Sequence, residues 1–265
     1  MSINKASRVL IVFTLIIFCI SSGQSAKAGV FDITIDGSDA IFLAGRTDLT
    51  IPSASDPWIY PDGMQRHGGS TPEEIQETFP PIIAVSAGDI IRALDPAVGG
   101  ISFYNGYGAP YFGPEGGAGT TDLLSFGGIS GFYAAGYGPL VGVFLDNNIP
   151  NGLAPARLDF TASGLGTNFL SITPGLGQVF FIGNGVTTGG VFQQFIAPTG
   201  ATRLALGVPD GFSFVGVPGY YDDNDGAYRI RIGVNEIPTV PEPTSLLLLG
   251  TGLGALGLAS RRRRK

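Results

Sequence analysis

Apolar residues occur along the chain in short runs bounded by glycine, proline, asparagine or aspartate, and helical periodicity is nearly absent. Residues 30–35 (VFDITI) alternate apolar and polar as a half-buried strand does, and 40–43 (AIFL) reads as a second strand. The segment 48–79 breaks the rhythm with Pro52, Pro57, Trp58, Pro61 and His67. Within it, Ser70 or Thr71 ahead of Pro72 and Glu73 predicts a short capped helix that ends before Pro80 and Pro81, in an insertion or lid. From residue 81 the strand rhythm resumes. Strands are predicted at 82–85, 90–94 and 98–104, then at 140–145, 169–172, 179–183 and 191–197, with a Gly/Tyr/Pro loop over 105–119. Two last strands, 203–208 and 226–232, flank a loop and are expected to close as a hairpin. Short strands between Gly/Pro turns predict an all-β fold, an antiparallel β-sandwich, for which a jelly roll is one common topology.

The two ends have other patterns. A basic start (Lys5, Arg8), an apolar run over 9–20 and the small-x-small Ala26-Lys27-Ala28 predict a secretory signal peptide over 1–28, cut after Ala28. The apolar run is short for a transmembrane anchor, the other reading. At the far end, an apolar stretch over 246–259 precedes Arg261, Arg262, Arg263, Arg264 and Lys265. Such a stretch can cross a membrane as a short helix with its basic cluster on the cytoplasmic side. The expected organisation is therefore a signal peptide (1–28), N-terminal strands plus the insertion (29–80), a β-sandwich (81–238) and a C-terminal sorting segment (239–265).

The order Pro241-Glu242-Pro243, short apolar span, arginine cluster resembles the PEP-CTERM sorting signal of Gram-negative bacteria. The resemblance implies export, transient retention in the inner membrane and processing near Pro-Glu-Pro by an exosortase-type enzyme. It also implies a place at the cell surface, in association with exopolysaccharide. A permanent tail anchor is the alternative use of the same residues.

Charge narrows the partners. The 265 residues carry a formal net charge of −6, but most of the basic residues lie in the two ends. The body from 29 to 240 keeps seven arginines, no lysine and 20 acids, a net charge near −13. That excludes a nucleic-acid partner, which needs a basic face, and favours cations or neutral partners. Contact with a membrane is expected only through the C-terminal helix. The single cysteine, Cys19, leaves with the signal peptide, so no disulfide, thiol nucleophile or cysteine metal site is expected in the exported protein.

Candidate chemistry concentrates in the loop before residue 226. Asp210, Asp222, Asp223, Asn224 and Asp225 are interleaved with glycines. Carboxylates, an amide oxygen and turn carbonyls are the donors that Ca²⁺ prefers. Several acids in one loop repel one another unless a cation or open water lies between them. The same residue types also make an ordinary solvated turn.

Several segments together resemble the PA-I galactophilic lectin family, a galactose-binding-domain-like β-sandwich. They are Ile82-Ile83 with Gly88-Asp89-Ile90-Ile91, the stretch from Tyr107-Gly108 to Gly113-Pro114-Glu115-Gly116, and Gly138-Pro139-Leu140-Val141. Further along come Ile182-Gly183-Asn184-Gly185, the strand ending Ala197-Pro198, and the segments 204–210 and 220–232. The resemblance implies a jelly roll in which Ca²⁺ bridges protein and sugar hydroxyls. Asp210 matches the first carboxylate ligand. Asp223 and Asn224 match an Asn-Asn pair, and Tyr220 and Tyr107 match positions that ligate through backbone carbonyls. The segment after Gly116 lacks the family's sugar-contacting His and Gln, so galactose itself is not implied.

Three functions are consistent with these features. One is calcium-dependent carbohydrate or exopolysaccharide binding, with Tyr220, Tyr221 or Phe212 packing on the sugar ring and Asp210, Asp222 and Asp223 near it. Another is a structural surface protein in which the loop is a calcium staple or a plain turn. The third, a glycoside-active enzyme built on Asp222 with Asp210 or Glu115, is not expected, because no nucleophile motif accompanies the acids.

Overall fold

The computed structural model describes residues 28–51, 77–104 and 110–238. The predicted signal peptide, the bulk of the 48–79 insertion with its capped helix and His67, Tyr107, and the C-terminal sorting segment lie outside the described residues.

Strands dominate, in the order β1 (Gly29–Asp36), β2 (Ile82–Ala84), β3 (Ile90–Ser102), β4 (Gly117–Leu123), β5 (Phe132–Tyr137), β6 (Val141–Leu145) and β7 (Asp159–Phe160). They continue with β8 (Ser171–Ile172), β9 (Val179–Phe181), β10 (Gln194–Ile196), β11 (Arg203–Gly207), β12 (Val215–Gly216) and β13 (Asp225–Val234). The only helices among the described residues are 3₁₀ turns, at Ile41–Leu43, Phe212–Phe214 and Tyr221–Asp223. Three sheets result, ordered β1-β13-β3-β10-β8, β2-β11-β6-β9 and β12-β4-β5-β7. The fold is all-β and sandwich-like. Most ladders are antiparallel, while β10/β8, β12/β4 and β5/β7 are parallel.

Alternation explains the first sheet. In β13, Tyr228, Ile230 and Ile232 are buried while Arg229 and Arg231 face out. Their partners in β1 are Ile35, Ile33 and Phe31, so one apolar face is built from directly opposed pairs. β6 is buried along its whole length, as its unbroken apolar run VGVFL demands. The sheets share one core. Phe180 of β9 lies 5.3 Å from Phe195 of β10, and Phe181 lies 6.2 Å from Phe160 of β7.

The structure revises three local expectations. The segment 203–208 and the segment 226–232 do not form a hairpin: β11 pairs with β2 and β6, whereas β13 pairs with β1 and β3. The loop between them therefore crosses from one sheet to another. The two strands predicted at 90–94 and 98–104 are one long strand, β3. The ladder skips Pro96 and Ala97 at a bulge, where a residue without an N–H costs no ladder bond. Residues 41–43 form a 3₁₀ turn rather than part of a strand.

β3 and β13 approach closely beside the crossing loop. Gly226 has φ +95°, and a Cβ there would meet Gly100 O at 2.3 Å; Gly99 has φ +105° and faces Ala227 O in the same way. Gly226→Ala is therefore expected to lower unfolding free energy by about 2–4 kcal/mol in urea melts, combining a left-handed backbone with a steric clash. Leu153→Ala, at a fully exposed position, is expected to stay within about 0.5 kcal/mol.

Candidate functional site

The crossing loop leaves β11 already buried, through Val208 and Asp210. A backbone bond from Gly219 N–H to Asp210 O, with a bridge between Gly211 and Pro218, closes the excursion 211–218 on itself. Within it lie the turn Phe212–Phe214 and β12, which pairs with β4. A second turn, Tyr221–Asp223, then leads into β13. Ser213 (φ 54°), Phe214 (φ 59°) and Tyr220 (φ 66°) all adopt left-handed backbone without being glycine. Such conformations cost about 1 kcal/mol or more each and persist only where surrounding contacts hold them. Here Phe214 stacks on Tyr137 at 4.6 Å and meets Phe103 edge-on at 5.0 Å, while the Tyr220 ring packs 5.3 Å from Phe212.

The Tyr221 hydroxyl ties the loop's two ends together. It donates to Val208 O at 2.8 Å and accepts from Asp210 N–H at 3.1 Å, fully inside the protein. Asp210 is 3% exposed. Its Oδ1 accepts from the Gly211 N–H at 2.7 Å and its Oδ2 from the Asn224 amide at 2.8 Å. Burial holds its carboxyl well above the usual carboxylate range, and the neighbouring charges of Asp223 and Asp222 push in the same direction. The Asn224 amide group also donates to Gly37 O at 3.0 Å, which fixes its orientation, since the reversed amide would set its oxygen against two acceptors. Its Oδ1 is buried and has no hydrogen-bond partner among the described residues.

Asp210 and Asp223 border a cavity of about 250 Å³ whose remaining walls include Phe103, Tyr104, Tyr137, Phe212 and Tyr220. Tyr104 is raised in pKa by partial burial and by the fields of Tyr137, Asp210 and Asp223. Among the described residues no cationic side chain lines the cavity. The arrangement combines aromatic faces, carboxylate acceptors and a strained but clamped loop, which suits a hydroxyl-rich or cation-bearing ligand.

The structure brings Asp210, Asp222, Asp223 and Asn224 together and sets Tyr220 on the cavity wall. It changes the role of Tyr221, which is buried and acts as a clamp rather than as a face for a sugar ring. Glu115 borders a different groove, beside Gly117 and Asn168, so it makes no acid pair with Asp210. Phe103 and Tyr137 are cavity residues that the sequence does not point to. Their only sequence signal is an aromatic beside a glycine-rich turn, which core residues share. Among the described residues no group of three or more Asp, Glu, His or Cys side chains forms a metal site by itself. An ion at this loop would thus draw on the Asn224 oxygen and on carbonyls besides the carboxylates.

Residues 239–264 match the PEP-CTERM protein-sorting motif. The motif implies export through the envelope of a Gram-negative cell and processing by an exosortase-type enzyme. No curated protein and no solved structure matches the chain.

Tyr221→Phe leaves the Asp210 N–H without its partner and Val208 O with only the Ile41 N–H, and is expected to cost about 1–3 kcal/mol in denaturant melts. Asp210 has a raised folded-state pKa, so the native state holds its proton above the ordinary carboxylate value while the unfolded chain releases it. Metal-free stability should therefore fall as pH rises from that ordinary value through the folded-state pKa. Asp210→Asn is expected to flatten this slope, while its amide loses one of the two bonds that the carboxylate oxygens accept. Asp39, raised by its own burial, leaves a smaller slope of the same sign.

Proposed function

We propose that the chain is an exported, non-catalytic protein of the cell surface or extracellular matrix that binds carbohydrate beside a Ca²⁺ held by the 210–224 loop. The observation that carries the reading is the carboxyl of Asp210, buried next to Asp222 and Asp223 and opening on an aromatic cavity. A cation would offset the burial that holds the Asp210 pKa high and the repulsion from Asp223 and Asp222 that adds to it. Asp210, Asp223, the Oδ1 of Asn224 and the carbonyl of Tyr220 are the ligands in this reading; Tyr107 would add a further carbonyl. Asn224 fits the part, because its amide group is pinned by Gly37 O and Asp210 and its oxygen is left over. The sugar ring would lie against Phe212 and Tyr220, with its hydroxyls toward Asp223. A wall with two carboxylates and, among the described residues, no cation disfavours uronic-acid polymers and suits a neutral exopolysaccharide. In the same reading the sandwich is a galactose-binding-domain-like jelly roll. The antiparallel ladders β6/β11 and β3/β13 on either side of the crossing loop are consistent with that topology.

A second reading has one observation in its favour. Asp210 and Asn224 are 3% and 2% exposed, so an ion between them could join the two sheets without touching a sugar. The protein would then be structural, with calcium as a staple.

Calorimetry and thermal melting of residues 29–238 separate these readings. With a dissociation constant near the ~10⁻⁴ M of extracellular calcium modules, 100-fold excess Ca²⁺ adds about 2.7 kcal/mol of stability. Asp210→Ala and Asp223→Ala are expected to lose that response. Retention on neutral exopolysaccharide is expected to vanish with chelator. Phe212→Ala is expected to weaken retention roughly 3- to 10-fold while keeping the calcium response. Calcium stabilisation without retention selects the structural reading. No calcium response at all removes the metal from both.

A further inference from the structure

The strand that carries the candidate site at one end carries the sorting segment at the other. β13 begins at Asp225, directly after the acidic loop, and ends at Val234. It is paired along its length on both sides, to β1 and to β3. Nine steps of about 3.3 Å place its ends about 30 Å apart. Beyond Val234 the chain is fastened twice more. Asn235 donates its N–H to Ile90 O and its amide to Asp89, and its own oxygen takes the Ile90 N–H. The carbonyl of Glu236 accepts from Arg92. Only then does the chain run into the sorting motif, which begins at residue 239. Gly29, the first residue after the predicted signal-peptide cleavage, pairs with Val234, so both chain ends leave from this same pole.

We propose that, while its C-terminal segment is in the membrane, the protein stands with the pole formed by Gly29, Ala87 and Asn235 against the bilayer and the 210–224 loop pointing away. The proposal rests on the membrane-retention reading of residues 246–259. From Glu236 to Leu246 the fully extended chain spans at most about 35 Å. Reversing the domain would use nearly all of that length to run back along its flank. Charge acts in the same sense. The distal pole presents Asp36, Asp223 and Asp225 to solvent, which the anionic headgroups of a bilayer repel, whereas Asp89 at the proximal pole is buried. The proximal pole instead offers the exposed apolar residues Val30 and Ile237, with Arg92 next to Glu236. In this orientation the aromatic cavity faces soluble polymer and not lipid, and processing at Pro241-Glu242-Pro243 takes place directly beneath a folded domain.

The test uses residues 29–265, which contain no native cysteine, in vesicles of three parts phosphatidylcholine to one of phosphatidylglycerol with a headgroup spin-labelled lipid. Ala87→Cys and Phe212→Cys, both at exposed positions, each receive a fluorophore. The label at 87 is expected to be quenched at least threefold more than the label at 212, and high salt is expected to narrow the ratio. Equal quenching, or stronger quenching at 212, with the protein co-floating with the vesicles, overturns the orientation alone. Failure to co-float overturns the membrane-retention reading, and the orientation with it.

Discussion

The carboxyl of Asp210 has left water and recovered two hydrogen bonds, one from the Gly211 N–H and one from the Asn224 amide. That is little compensation for a buried anion with two more carboxylates beside it. The local structure is arranged around this constraint. Asn224 is held by Gly37 O so that its amide can face the carboxylate. Tyr221 clamps the entry to the loop by bonding both Val208 O and the Asp210 N–H. Phe214 and Tyr220 accept left-handed backbone because their rings gain packing against Phe103, Tyr137 and Phe212. Since β11 and β13 belong to different sheets, the loop cannot relax by sliding along a single ladder. Moving Asp210 would move the joint between the sheets.

Several arginines of the described residues are engaged away from that charge. Arg46 is committed to Asp48, Arg157 to Asp122, and Arg203 to the carbonyls of Asp146 and Asn148. Arg231 lies between Asp32 and Asp95 on the outer face of the first sheet. The pairs of Arg157 and Arg231 are exposed and contribute little individually, whereas Arg46 is buried beside Asp48. With a body near −13, a proton relieves Asp210, and a cation bound in this loop would act on the same carboxyl. The geometry is therefore sensitive to pH at this place.

Much of the sheet content is readable because alternation reports a two-faced strand. The outward Arg229 and Arg231 of β13, between inward Tyr228, Ile230 and Ile232, mark its pairing faces without ambiguity. What alternation does not report is the partner. Nothing in 203–208 or 226–232 distinguishes a hairpin from two strands in different sheets, because the choice is made by β1, β3 and β6 far along the chain. β4 and β5 are hidden for another reason. GAGTTDL and FYAAGY are built on glycine and alanine, so they lack the apolar contrast that a periodic reading needs. In the run IFL at 41–43 the side chains are buried on all sides, which removes the contrast between strand and turn. The acidic loop is legible as a cluster because its residues are close in sequence. Tyr104 and Tyr137 join it only through the fold, and Tyr221 reads like any other aromatic until its hydroxyl is seen to bridge two backbone groups.

The order of synthesis bears on how the fold closes. β1 has one partner, β13, which is the last strand of the described chain. The first strand to emerge therefore stays unpaired until residue 234 is available, and the five-stranded sheet cannot be completed earlier. Such long-range pairing is slow compared with local hairpins, because loop closure is opposed by chain entropy before any contact rewards it. Once closed, the sheet is complete within the described residues. The last bonds to the body come from Asn235 and Glu236, and the ladder of β13 needs nothing from residues 239–265. A cut in the sorting segment removes no hydrogen bond of the described ladders and no residue of the described core. The described ladders and the loop at the far end of β13 are thus built from residues that such a cut leaves in place.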